Sequence, residues 1–74
     1  MSDEEIRDIL QKLVVAIADL DATMIEELIR ILVEASDQEP MCAWSRQMKN
    51  SAEEYDFERC EKLANQWLDY MLGS

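Results

Sequence analysis

Apolar residues in this chain recur in steps of three and four, and they do so in four separate stretches. Ile6, Ile9, Leu10, Leu13, Val14 and Ile17 form the first series. That spacing lines one face of a helix and predicts helix over about residues 3–18. Ser2-Asp3-Glu4-Glu5 ahead of it reads S-x-x-E, a capping box with Ser2 at the N-cap. Met24, Ile25, Leu28, Ile29, Leu32 and Ala35 form the second series, over about 22–35, with Asp21 placed to cap it. Ile31 and Val33 widen this stripe, so the second helix is expected to be the most buried. The segment "SDQEP" then breaks the pattern. Asp37 is the expected cap of a third helix, and Pro40 suits a first helical turn, where its missing N–H costs nothing. Met41, Trp44, Met48, Ala52 and Tyr55 make the third stripe, ending near Glu54. Asp56 is the expected cap of a fourth helix, whose stripe is Phe57, Cys60, Leu63, Ala64, Trp67, Leu68 and Met71. Gly73 is expected just past its end.

The two halves resemble each other. At an offset of 35 residues, Asp21 falls on Asp56, Leu20 on Tyr55, Ile25 on Cys60, Glu26 on Glu61, Leu28 on Leu63 and Leu32 on Trp67. Each half therefore reads as a helical hairpin closed by a bulky residue and a capping Asp. The expected fold is all-α: an antiparallel four-helix bundle made of two similar hairpins, 3–35 and 40–72, joined by a linker at 36–39, as a single domain over 1–74. A rival organisation has each half as one long helix, with the chain a hairpin that dimerises. In its favour, no Gly or Pro separates the first helix from the second, and the first stripe continues in phase through residues 20, 24, 28 and 31. Against it, continuing the third stripe past Tyr55 would place Arg59 in the seam, whereas the apolar series restarts at Phe57 and Cys60.

Composition narrows the function classes. The 74 residues hold 17 acidic and 7 basic side chains, net −10. Nucleic-acid binding needs clustered Lys and Arg, so the charge argues against it, and against docking on an anionic membrane. No apolar run reaches the ~18–20 residues of a membrane span, and "MSDEEIRD" is unlike a targeting peptide. A soluble, cytoplasmic chain is expected. It has no histidine, which removes the commonest general base and metal ligand and every Cys-His or Ser-His-Asp arrangement. Cys42 and Cys60 would differ in height by about 13 Å along a hairpin turning at 55–56, too far for a disulfide. They read as small core residues. "DLDATMIEELIR" from Asp19 starts like an EF-hand loop, but Met24 stands at the glycine position and Arg30 at the closing Glu. The acidic pairs Glu4-Glu5, Glu26-Glu27 and Glu53-Glu54 point to different sides of their helices and make no dyads. No catalytic residue, cofactor or metal ligand emerges. The candidate docking residues lie on the third helix: Trp44, Arg46, Met48 and Lys49, where Arg46 and Lys49 are the only basic pair among uncharged polar neighbours.

The run "WSRQMKNSAEEYDFERCEKL", with its Tyr55-Asp56-Phe57 turn and Leu63, resembles the closing helices of histidine phosphotransfer (HPt) domains. "ILQKLVVAIADLDATMIEELIRIL" is similar to the leading hairpin of variants that lack phosphotransfer. Such modules sit at the C-terminus of hybrid sensor kinases and some response regulators. The resemblance implies a helical scaffold that docks a receiver or histidine kinase domain, as a piece of a longer signalling protein. The reactive His-x-Leu-Lys-Gly-like motif is missing, so no phosphotransfer residue carries over. An acyl carrier protein would need an Asp-Ser-Leu-like attachment site, which Ser36, Ser45 and Ser51 do not supply. The expected function is a non-catalytic docking module, with a monomer favoured. The alternative is a small acidic dimerisation or chaperone-like protein.

Overall fold

The computed structural model describes residues 2–73. Four helices follow in order: α1 (Asp3–Ala18), α2 (Ala22–Ala35), α3 (Met41–Glu53) and α4 (Phe57–Gly73). Ser2 Oγ accepts the Glu5 N–H at 3.3 Å, and the Ser2 hydroxyl donates to Glu5 Oε1 at 3.2 Å. Asp21 and Asp56 cap α2 and α4 by accepting the backbone N–H of Met24 and of Arg59, each at 3.2 Å. Each cap satisfies one orphan donor and contributes about 1 kcal/mol. Asp37 does not cap α3. That helix starts at Met41, four residues on, beyond the reach of a cap side chain. Glu39 takes the role instead, accepting the Ala43 N–H at 3.2 Å.

The sequence repeat is a repeat of turn geometry. Leu20 and Tyr55 adopt the left-handed conformation, with φ of 56° and 60°. The N–H of Leu20 bonds Ile17 O and that of Asp21 bonds Ala16 O. In the second turn Tyr55 bonds Ala52 O and Asp56 bonds Ser51 O. Both sets are Schellman motifs, in which the chain turns out of one helix while closing its last carbonyls. The residue ending that motif is the Asp that caps the next helix, so three residues, 19–21 and 54–56, end one helix and begin another. This corrects the third stripe: Tyr55 is 75% exposed and Leu20 72%, because the left-handed turn swings both away from the core. The continuous-helix organisation is absent. Gly73 is the last residue of α4 and has no positive φ, so it does not act as a left-handed cap.

α1 packs on α2 and α4, and α3 packs on α2 and α4. With short connections this gives an antiparallel up-down-up-down bundle, 29 × 19 × 18 Å. Each helix sends four residues inside: Leu10, Leu13, Ala16 and Ile17; Ile25, Leu28, Ile29 and Leu32; Ser45, Met48, Ser51 and Ala52; Cys60, Leu63, Ala64 and Trp67. α2 is therefore not more buried than its neighbours, and its extra apolar residues Ile31 and Val33 are only half-buried. Both hairpin turns lie at one end of the bundle. The linker and the outer ends of α1 and α4 lie at the other. Among the described residues no helix is long and apolar enough to cross a membrane.

Candidate functional site

The four residues singled out on α3 do not share one surface. Met48 is wholly buried in the core, because its position on the stripe faces the bundle axis. It cannot touch a partner and leaves the candidate set. Trp44 is half-buried and faces α4. Its ring meets Tyr70 edge-on at 5.4 Å and lies 6.2 Å from Trp67. At ~100° per residue Arg46 projects about 160° from Trp44, whereas Arg46 and Lys49 are only about 60° apart. Arg46 and Lys49 are exposed, and neither makes an ion pair among the described residues. The basic pair thus stands on one side of α3 and the tryptophan on another.

Lys49 borders a groove of about 490 Å³ between α2 and α3. Ile29 and Ala52 are buried in its floor, and Val33 is half-buried there. Its rim is charged: Glu26, Arg30 and Glu34 on α2, Lys49 and Glu53 on α3, all exposed. Sequence reasoning passed over it, since Glu26, Arg30 and Glu34 look like an ordinary solvated face. The available signal was Val33, an apolar residue off the main stripe.

Of the other chemistry-bearing groups, Cys60 and Asp21 have structural hydrogen bonds. Cys42 and Cys60 are both free thiols. Cys60 is wholly buried and donates its S–H to Met48 O at 3.4 Å. Burial, with the nearby Asp56 charge adding to it, pushes the Cys60 thiol from its ordinary 9.0 up to about 11. It is protonated at neutral pH, and a protonated buried thiol is a poor nucleophile. Asp21, the first candidate of the calcium-like stretch after Asp19, spends its carboxylate on the α2 cap. Glu53 ends α3 and Glu54 is its C-cap, so these two acids oppose the helix dipole rather than support α4. Among the described residues no three Cys, Asp or Glu side chains converge as metal ligands. No protein-family model, no curated protein and no solved structure matches the chain.

Proposed function

We propose that the chain is a non-catalytic docking module that seats a helix of a partner protein along the α2–α3 face. The observation that carries this reading is the groove beside Lys49: an apolar floor of Ile29, Val33 and Ala52 under a charged rim. A floor of that kind accepts one or two apolar side chains of a partner helix, and the rim sets their register and orientation. Arg46 and Lys49, free of internal ion pairs, reach carboxylates on the partner. The likeness to histidine-less phosphotransfer modules supplies the candidate partners, a receiver or a histidine kinase domain in two-component-type signalling, and a cytoplasmic setting. Without histidine the module holds its partner without accepting a phosphoryl group.

Titration of the labelled chain with isolated receiver and kinase domains tests this. Binding is expected to shift the amide signals of residues on α2 and α3 around the groove. The double reversal Arg46→Glu, Lys49→Glu is expected to weaken binding about tenfold, mainly by slowing association, with thermal unfolding unchanged. Equal binding by parent and double variant, or no binding by any such domain, would refute the reading.

A further inference from the structure

The end of the bundle that carries the two turns has a design of its own. The left-handed conformation is costly for any residue with a Cβ, and Gly is its usual occupant. Both turns instead hold a large apolar residue there, Leu20 and Tyr55, and both are mostly exposed. Tyr55 recovers only an edge contact with Phe57 at 6.2 Å. Leu20, between Asp19 and Asp21, neighbours a shallow depression of about 390 Å³ in which Val15, Ala16 and Met24 are bordered by Gln11, Lys12 and the two aspartates. Val15 is 60% exposed and Met24 44%, so neither is needed to fill the core. Strained backbone thus coincides twice, at equivalent points of a repeat, with an exposed apolar side chain at one end of the molecule.

The charge around them is mostly negative, with Lys12, already paired to Asp8 at 3.0 Å, and Arg59 in the first turn of α4 as the nearby cations. Asp19, Asp21, Glu53, Glu54 and Asp56 flank the two turns and are all exposed, with no Lys or Arg at residues 18–24 or 52–57. A second copy would bring the same carboxylates to the contact and be repelled. An anionic lipid surface would be repelled likewise. What complements this end is a positively charged partner with apolar residues along one side. The bundle is about 19 Å across, a width that a helix of about 13 residues spans at 1.5 Å per residue.

We infer that the turn end, through Leu20 and Tyr55, is a second docking surface that receives a basic amphipathic helix of a partner protein. It adjoins the α2–α3 groove at Glu53 but its apolar residues are not part of that groove, so the module joins two partners. Its apolar side chains supply affinity, and the carboxylates select for Lys and Arg and speed encounter.

The test uses a synthetic amphipathic helix of Leu and Lys, about 18 residues long, titrated into the whole chain at low and at physiological salt. Amide shifts are expected at Asp19, Leu20, Asp21, Tyr55 and Asp56. The double variant Leu20→Gly, Tyr55→Gly places Gly where the backbone favours it, so its melting temperature should be unchanged or higher. Its affinity for the peptide should fall about tenfold or more at both salt concentrations. Neutralising Asp19 and Glu54 (D19N, E54Q), which leaves the capping carboxylates of Asp21 and Asp56 in place, should flatten the salt dependence. Shifts centred on the groove, unaltered affinity in the folded glycine variant, or no binding even at low salt would each overturn the inference. The Arg46 and Lys49 reversals do not touch this surface, so failure of either docking site is recognisable without the other.

Discussion

Trp67→Ala is expected to lower the unfolding free energy by about 3–5 kcal/mol. Trp67 is 1% exposed and is the largest fully buried side chain. It stands where α4 meets the half-buried Trp44, with ring centroids 6.2 Å apart. Removing the indole takes away its apolar burial and strips Trp44 of a packing partner. A chain of this size has roughly 4–11 kcal/mol of stability in total, so the variant should be marginal or partly unfolded at room temperature. Urea unfolding followed by far-ultraviolet circular dichroism reads the change. Trp44→Ala, at a half-buried position, should cost clearly less. Equal urea midpoints for Trp67→Ala and the parent would contradict the core placement.

Met48→Ala carries the second large effect, about 2–5 kcal/mol, by the same cavity mechanism. Met48 is wholly buried in the core, so the void opens inside the bundle. The same variant separates core from docking face. Partner binding by the folded fraction should match the parent, because no Met48 atom is at the surface. A fully folded Met48→Ala chain with weakened binding would return the residue to the partner contact.

How much of this was legible in the amino-acid order depends on the kind of residue. The three- and four-residue steps of large aliphatic residues located α1 and α2 almost to the residue, since burying a Leu or Ile dominates local choices. The 35-residue offset between Asp21 and Asp56 correctly marked both turns. It could not show that Leu20 and Tyr55 point outward, because an apolar residue beside a stripe reads as part of it, while the Schellman hydrogen bonds that swing it away involve only backbone atoms. On α3 the pattern was weakest. Ser45 and Ser51 are buried for their small volume, which lets helices approach, and hydropathy does not register volume. Ser45 settles its hydroxyl on the Cys42 carbonyl at 2.9 Å. The candidate docking residues were chosen by type along one helix. Their angular positions then separated them, leaving Arg46 and Lys49 together and placing Met48 inside. The groove beside Lys49 needed two helices at once, α2 and α3, and their pairing is a tertiary fact that no single stretch encodes.

Both docking surfaces presuppose a bundle that satisfies its own core and so leaves its outer faces free. The solution mass tests that most directly, by size-exclusion chromatography with light scattering over a wide concentration series. A constant mass near 8.6 kDa is the expected result. A stable dimer would contradict it and favour an acidic, self-associating chain in which the stripes of one copy are completed by another.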